Sequence, residues 1–391
     1  MKNDTTTIAK QEKKNTILFI TTGLNTGGAE IMLYNLIAAI DKTKYSPAVI
    51  SLIPIGEVGK KLISLGAEVY SLNVPSGKLP TVPALLKLIR LARKIKPSVI
   101  HGWMYHGNIA AQFVNGFLQR RTPVLWTIHH SLDSLGNEKK STVRVIALGA
   151  RLSQKPSSII YVSSTGKKQH ELLGYADKKS LVIPNAVDTD LFSPSTENRI
   201  MTRKELGLPD DIFLVGHIAR YHPMKDHENF LQAVALIQNL HTSIAFVLAG
   251  TNVDHQNEDL KKKILELNIQ NIKLLGERND INKILPALDV LVVSSSHGEA
   301  FPVIILEAMS SGVLCVSTDV GDASKIIGEN GKVVPTKNPE ALAEAISEII
   351  DLDAVQRKKM QENARREIIA NYSLRHIANE YEKLYDCYLS Q

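Results

Sequence analysis

The sequence is poor in the features that mark several classes of protein. Its 391 residues include only two cysteines, Cys315 and Cys387, which excludes a disulfide framework. Cys315 lies in the apolar run VLCVST, which predicts a buried strand and favours a reduced, cytosolic protein. No apolar run reaches the roughly 18 residues that a membrane-spanning helix needs. The opening stretch MKNDTTTIAKQEKKN lacks the apolar segment of a signal peptide, so we interpret residues 1–14 as a disordered tail.

The common nucleotide-binding fingerprints are also missing. The spacing of Gly23, Gly27 and Gly28 does not match the dinucleotide motif G-x-G-x-x-G, which disfavours a dehydrogenase, and no Walker A loop is present. The 46 Lys and Arg against 40 Asp and Glu give a net charge of +6. This excess is too small to argue for nucleic acid, but it suits anionic small molecules or an anionic membrane surface.

What the sequence does have is a regular alternation of strands and helices. Thirteen short β-branched runs are separated by segments of helical period, a pattern typical of parallel sheets covered on both faces. The predicted strands are residues 17–21, 47–53, 68–74, 98–103, 123–129, 157–163 and 181–186, followed by 213–219, 244–250, 272–276, 290–296, 313–318 and 332–335. Thirteen strands are too many for one doubly wound sheet.

A change in composition divides the chain near residues 186–196. The stretch VIPNAVDTDLFSPSTENR carries two prolines and has no helical period, and a new strand–helix series begins at Phe213. We therefore predict two Rossmann-like α/β domains, residues 15–190 and 191–372, facing across a cleft. Residues 373–391 predict a C-terminal helix, whose return to the first domain is left open. Ligands of such sheets lie beyond the carboxyl ends of the strands.

Two motifs in the first domain follow predicted strands. Gly27 and Gly28 stand where a helix begins, so their backbone N–H groups could bind an anion, or the pair could simply form a flexible turn. His129 and His130 end the strand in WTIHHSLD, and only one of them can point toward the cleft. No cluster with metal-ligand spacing accompanies them.

Charged residues follow two strands of the second domain. Arg220 and Lys225, in ARYHPMKD, lie at the carboxyl end of a strand and could clamp a diphosphate or remain solvated surface charges. In HGEAFPVIILEAM, Glu299 lies in a loop, Pro302 in the first turn of a helix and Glu307 within that helix. Buried among apolar neighbours, Glu307 requires either an ion pair or vicinal hydroxyls of a sugar or ribose.

Taken in order, these motifs resemble those of glycosyltransferase family 4, retaining enzymes of the GT-B fold used in surface polysaccharide and glycolipid assembly. The similar segments are Gly27–Glu30, VIPNAVD, the Arg220/Lys225 pair, and GEAFPVIILEAMSSG with its two glutamates eight positions apart. Ala300 and Asp226 depart from the pattern, because glycine is usual at both places. We interpret Asp226 as a helix N-cap.

The resemblance implies a role for each matching residue. Arg220 and Lys225 neutralise the leaving nucleoside diphosphate, and Glu307 holds the donor ribose. Glu299, with the backbone near Ala300, Phe301 and Pro302, binds the donor sugar. In the first domain, the Gly27/Gly28 loop covers the diphosphate and His129, or else His130, lies beside the sugar.

The resemblance also implies the substrates and the location. The donor is a nucleoside-diphosphate sugar, UDP by preference, the acceptor is a saccharide or lipid-linked saccharide, and no metal or other cofactor is needed. The Asp-x-Asp pattern at Asp188–Asp190 is accordingly interpreted as linker. A basic helical segment at residues 81–97 either packs on its sheet with a solvated face or contacts anionic lipid, and we expect a cytoplasmic enzyme, peripheral on the inner membrane face.

Two other classes of function remain open at this point. A sugar-nucleotide epimerase or hydrolase on the same fold would turn over the donor without any acceptor. A non-catalytic nucleotide-sugar-binding subunit is the third hypothesis, although the presence of His129, Arg220, Lys225 and Glu299 argues against it.

Overall fold

The computed structural model describes residues 14–132 and 135–390. The predicted tail therefore lies outside the described residues except for Lys14. The described residues form two compact units. The first contains those up to Thr127, Leu152–Ile159 and those from Tyr381 onward, and the second contains those from Ile128 to Arg151 and from Ile160 to Glu380. These units are defined by packing and do not coincide with the two sheets described below. They therefore do not test the predicted domain bounds, which stay predictions.

The first sheet has seven strands in the order β3-β2-β1-β4-β5-β6-β7. Its strands are β1 (Asn15–Thr21), β2 (Tyr45–Ser51), β3 (Glu68–Ser71), β4 (Val99–Trp103), β5 (Val124–Ile128), β6 (Ser158–Tyr161) and β7 (Ser180–Val182). The helices between them are α1 (Gly28–Ala39), α2 (Glu57–Ser64), α3 (Val82–Ile95), α4 (Met104–Asn115), α5 (Lys140–Leu152) and α6 (Ser164–Leu172). The pairings among β1 to β5 are parallel.

The second sheet has six parallel strands in the order β10-β9-β8-β11-β12-β13. Its strands are β8 (Phe213–Ile218), β9 (Ile244–Ala249), β10 (Ile272–Leu274), β11 (Val290–Val293), β12 (Leu314–Thr318) and β13 (Gly331–Val334). The helices are α7 (Thr196–Glu205), α8 (His227–Ile237), α9 (Glu258–Glu266), α10 (Ile281–Ile284), α11 (Val303–Ser310), α12 (Ala323–Ile327), α13 (Pro339–Ile350), α14 (Ala354–Tyr372) and α15 (Leu374–Leu389).

All thirteen predicted strands are present, and the prediction of two Rossmann-like α/β sheets is confirmed. The central strands are mostly apolar because parallel sheets are covered on both faces. Along β8, for example, Leu214 packs into one core cluster and Val215 into the other. No helix among the described residues is long and apolar enough to cross a membrane.

The end of α15 packs against the first sheet. The Glu382 carboxylate accepts from the backbone N–H of Asp41 at 2.7 Å. Tyr385 Oη lies 2.9 Å from His101 Nδ1, in the middle of β4. The predicted C-terminal helix is therefore present, and its last turns belong to the compact unit that contains β1 to β4 and most of β5.

Candidate functional site

In both sheets the strand order reverses beside the first strand of the series, between β1 and β4 and between β8 and β11. Ligands of open α/β sheets bind at such a switch point, beyond the carboxyl ends of the strands. Arg220 and Lys225 follow β8, while Glu299 and Glu307 follow β11. Since β8 and β11 are paired neighbours, the topology brings these separate segments to one place.

The loop after β8 presents Arg220 and then turns sharply into α8. The Arg220 side chain is exposed, and among the described residues it makes no ion pair. Asp226 caps α8, since its carboxylate accepts from the Asn229 N–H at 3.3 Å, which confirms the predicted N-cap. Its φ of 48° lies in the left-handed region, which glycine adopts at little cost.

The loop after β11 is bonded to the loop after β8. The Ser296 N–H donates to the Met224 carbonyl at 2.9 Å, and Ser294 Oγ lies 2.9 Å from the Lys225 carbonyl. Gly298 has a φ of 75°, and a Cβ there would come within 2.5 Å of Met224 Sδ. The positive φ favours glycine at this position, and any Cβ there would displace the flexible Met224 side chain.

Lys225 and Glu299 form an ion pair inside this paired loop structure. Lys225 Nζ contacts Glu299 Oε1, and the two side chains are only 19% and 13% exposed. Ser295 Oγ also donates to Glu299 Oε1 at 3.0 Å. The sequence places both residues at one site but does not reveal that they bond each other.

Glu307 has a different environment. It lies in α11, and among the described residues no group donates a hydrogen bond to its carboxyl or pairs with it. Burial raises the pKa of Glu307 to about 8, although part of the residue remains accessible to solvent. An ion pair with a nearby Arg or Lys is therefore not what satisfies this carboxyl, and near pH 7 it is mostly protonated.

The residues before α11 are buried and form its entry. Phe301 packs its ring 5.8 Å from the ring of Tyr372, and Ala300 is also buried. The predicted position of Pro302 in the first turn is wrong by one residue, since Pro302 is the N-cap and Val303 begins the helix. No side chain caps this helix, which leaves its first N–H groups available for an acceptor.

Sequence reasoning missed a contact that supports the Glu299 segment. The Asp322 carboxylate accepts from the N–H groups of Ser164 at 2.7 Å and Thr165 at 3.0 Å, the first residues of α6. The Asp322 N–H donates to the Ala300 carbonyl at 3.2 Å. At Gly321 (φ 58°) a Cβ would meet the Glu299 carbonyl at 2.4 Å. Such a long-range contact leaves no local sequence signal.

The two histidines after β5 have separate environments. Burial lowers the pKa of His129 to about 3, against an opposing interaction with Asn185 that favours the charged form, so its imidazole is neutral. His130 Nε2 lies 2.7 Å from Glu138 Oε1. Which of the two lies beside a ligand stays a prediction.

The glycine pair after β1 is placed at a helix start, as predicted. Gly27 is the N-cap of α1 and Gly28 its first residue, with no side-chain cap. A Cβ at Gly28 would meet nothing within 4 Å, so the backbone there is open to an approaching anion.

Asp188, the first residue of the Asp-x-Asp pattern, is used locally. Its carboxylate accepts from the N–H groups of Asp190 and Leu191 at 3.1 and 3.0 Å, which closes a turn in the segment between the sheets.

Comparison with known proteins identifies relatives along most of the chain. The family model Glycosyltransferase Family 4 matches residues 26–191, and Glycosyl transferases group 1 matches residues 198–367. The putative glycosyltransferase EpsF of Bacillus subtilis is 24% identical over 315 residues, 78% of this chain and 79% of that protein.

A second relative is the UDP-Gal:alpha-D-GlcNAc-diphosphoundecaprenol alpha-1,3-galactosyltransferase of Escherichia coli. It is 29% identical over 228 residues, 55% of each protein. Among solved structures, Anabaena Alr3699/HepE in complex with UDP superposes with a TM-score of 0.81 at 22% identity, covering 95% of this chain and all of that one. Sucrose-phosphate synthase from Thermosynechococcus elongatus has a TM-score of 0.79 at 19% identity, covering 96% and 100%.

Proposed function

This chain is a glycosyltransferase that belongs to glycosyltransferase family 4 and has the GT-B fold, and from that premise we propose that it transfers a sugar from a nucleoside-diphosphate donor to a saccharide or lipid-linked acceptor. UDP is the proposed nucleotide, because a structural neighbour was solved with UDP and with UDP-glucose. A lipid-linked acceptor is proposed because the Escherichia coli relative is named for one.

The observation that carries this proposal is the pairing of Lys225 with Glu299 next to the unpaired Arg220. A diphosphate bound at the switch point competes with Glu299 for Lys225 and takes Arg220 as a second cation. The carboxylate of Glu299 is then released to accept from hydroxyls of the donor sugar. Donor binding thus replaces the Lys225–Glu299 ion pair with two contacts to the ligand. Lys225 contacts the diphosphate, and Glu299 contacts the hydroxyls of the sugar.

Glu307 is the proposed contact to the donor ribose. Its carboxyl is crowded by apolar neighbours and has no partner among the described residues, so vicinal hydroxyls would satisfy it. A carboxyl that is protonated near neutral pH can donate one hydrogen bond and accept another, which suits a diol.

The proposed reaction uses fixed charge and no metal. Negative charge develops on the departing diphosphate, and the cations Arg220 and Lys225 stabilise that charge more in the transition state than in the ground state. The leaving phosphate takes the proton of the acceptor hydroxyl, and the anomeric configuration is retained. Neutral His129 is a proposed contact to the sugar, and Gly27 with the open backbone at Gly28 a proposed contact to the diphosphate.

The membrane contact proposed for residues 81–97 receives less support from the structure. In α3, Lys87 Nζ donates to the Ser71 carbonyl at 2.7 Å, and Lys94 Nζ lies 5.9 Å from the centre of the Tyr70 ring. Both therefore contact β3, while Arg90 is exposed. Peripheral binding at the inner membrane face stays a prediction.

The proposal is tested by turnover of UDP-sugars with and without saccharide and diphosphate-lipid acceptors, in the presence of EDTA. Arg220→Ala or Lys225→Ala should lower kcat/KM by roughly 10²–10³, about 2.7–4 kcal/mol. Lys358→Ala, an exposed lysine on α14, is the matched control and should retain wild-type turnover. NMR of the product should show a retained anomeric configuration.

Three results would contradict the proposal. Wild-type kcat/KM in both variants would remove Arg220 and Lys225 from the site. Donor consumption that ignores every acceptor would indicate the hydrolase or epimerase. Loss of all turnover in EDTA, restored by a divalent cation, would show a metal-dependent reaction.

A further inference from the structure

A cavity of about 740 Å³ lies at the amino-terminal edge of the first sheet. Its walls are residues that immediately precede or begin three neighbouring strands, among them Asn15 for β1, Ser98 for β4 and Pro123 for β5. Because these strands are parallel, this edge is opposite to the carboxyl edge from which the Gly27 loop and His129 emerge. The cavity is therefore separate from the donor residues proposed for the first sheet.

The lining of this cavity is strongly basic and contains no carboxylate. Five cationic residues take part, and in residues 14–132 and 135–390 no Asp or Glu lies within ion-pair distance of any of them. They are Lys14, Arg93, Lys96, Arg120 and Arg121. Unpaired cations around a concave surface reinforce one another's potential and attract anions.

Part of this basic lining is held in place. Arg93 donates from Nε and Nη2 to the Phe117 carbonyl at 3.0 and 2.9 Å, which fixes the guanidinium against the segment after α4. The Thr122 N–H donates to Asn115 Oδ1 at 3.2 Å, closing that segment before β5. Arg120 and Arg121 lie between these two anchors. The backbone that carries Arg120 and Arg121 is therefore anchored at both ends, while their exposed side chains remain free to meet an anion.

The backbone adds further donors at the same place. Among the described residues, no acceptor is bonded to the N–H groups of Gln119, Arg120 or Arg121. Successive free N–H groups beside guanidinium groups are a recurrent arrangement for phosphate oxygens. Lys96, at φ 52°, ends α3 beside them and contributes a point charge.

We propose that this cavity binds a phosphate-bearing anion. Guanidinium groups match the oxygens of a phosphate bidentately, and several unpaired cations suit a ligand with more than one negative charge. The cavity of about 740 Å³ has room for an organic group beside the phosphate, so the proposed ligand is a phosphate or diphosphate ester. That ester is either soluble or the headgroup of an anionic lipid.

The first measurement is calorimetric titration with inorganic diphosphate at low ionic strength. It is made in the Arg220→Ala/Lys225→Ala background, so that the proposed donor site does not contribute. Adding Arg120→Gln/Arg121→Gln should weaken binding by roughly tenfold or more, the effect of losing a charge-assisted hydrogen bond. Lys358→Gln/Lys359→Gln removes the same charge from two exposed residues of α14 and should leave the affinity unchanged.

Vesicle flotation separates the two sources of the ester. The same variants are mixed with phosphatidylcholine vesicles with or without phosphatidic acid. Flotation that needs phosphatidic acid and is lost only in Arg120→Gln/Arg121→Gln identifies a lipid headgroup. Diphosphate binding that depends on the two arginines, without flotation, identifies a soluble ester.

The proposal is overturned if the starting protein binds neither diphosphate nor acidic vesicles. Equal weakening by the cavity variant and by the α14 variant would overturn it as well, because only net charge would then matter. UDP binding is measured in parallel on protein with Arg220 and Lys225 intact. Failure of the donor assignment and failure of the cavity assignment are thereby distinguished.

Discussion

The two sheets share the order of their first six strands but carry unpaired arginines at opposite edges. In the second sheet, Arg220 lies beyond the carboxyl ends. At the carboxyl edge of the first sheet the candidate residues are uncharged Gly28 and neutral His129, and burial raises the pKa of Glu30 in the first turn of α1. The unpaired cations of the first sheet, such as Arg120 and Arg121, surround the amino edge. If both proposals are correct, the second sheet binds phosphate at its carboxyl edge and the first sheet at its amino edge. The loops, and not the shared topology, then determine which edge binds phosphate.

The amino edge of the second sheet makes the contrast sharper. It too has arginines, but two of them pair with Asp289: Arg203 Nη2 lies 2.7 Å and Arg199 Nη2 2.8 Å from its carboxylate oxygens. The same carboxylate accepts from the Leu214 N–H at the start of β8. Paired charges at this edge hold the fold together, while the unpaired ones of the first sheet remain available to a ligand.

The largest expected effect comes from breaking the paired edge. Asp289→Ala leaves the Arg203 guanidinium, only 1% exposed, without its counter-charge. We expect a loss of about 3–5 kcal/mol in the free energy of unfolding, as for other buried pairs with one partner removed. Urea denaturation measures it.

The matched variant at the first sheet is Arg120→Ala/Arg121→Ala. These side chains are exposed and unpaired among the described residues, so the free energy of unfolding should change by no more than about 0.5 kcal/mol. A loss in this variant as large as that of Asp289→Ala would erase the distinction between the two edges.

Glu307 provides a pH-dependent test of the second carboxyl edge. Since burial raises its pKa to about 8, the stability contributed by the neutral carboxyl is complete below the unfolded value near 4.5 and is lost as the pH rises through about 8. Glu307→Gln cannot ionise, so it should become more stable than wild type by on the order of 2–4 kcal/mol at pH 9. Denaturation at pH 4 to 9 measures the difference.

Glu30 is the matched carboxyl of the first sheet, in the first turn of α1. Burial raises its pKa as well, so Glu30→Gln should shift stability with pH in the same direction.

One outcome would contradict the Glu307 prediction. If the free energies of unfolding of wild type and Glu307→Gln changed in parallel with pH, the Glu307 carboxyl would be solvated, and the burial argument for its contact with the ribose would fail.

Much of this architecture could be predicted because it depends on local pattern. Buried parallel strands are continuous apolar runs, so β8 and β11 were recognisable from residues 213–219 and 290–296 alone. Because β8 and β11 pair, the loops that follow them and carry Lys225 and Glu299 lie close together, and this can be predicted from the strand order alone. The helix cap at Asp226 followed from residue type and position.

The remainder depends on contacts between residues far apart in the chain. Lys225 meets Glu299 across 74 positions, and Asp322 meets Thr165 across 157. Neither pairing has a sequence period, because each depends on how a loop is bent at a glycine, as at Gly298 and Gly321. Likewise, nothing in the sequence near Lys94 indicates that its side chain lies over the Tyr70 ring.

The smallest expected effect on catalysis tests whether the Asp322 contact positions the loop that carries Glu299. Asp322→Asn weakens the bonds from the Ser164 and Thr165 N–H groups and should cost about 1–3 kcal/mol in unfolding free energy. The Asp322 N–H bonds the Ala300 carbonyl, so loosening residue 322 through its side chain weakens the support of the Glu299 segment. We expect donor KM to rise by roughly tenfold with a smaller change in kcat. Asp319→Asn, an exposed carboxylate of the same loop, is the control and should alter neither. A loss of stability with an unchanged KM would mean that the Asp322 contact stabilises the fold but does not position Glu299. The loop after β8 would then be what holds Glu299 in place.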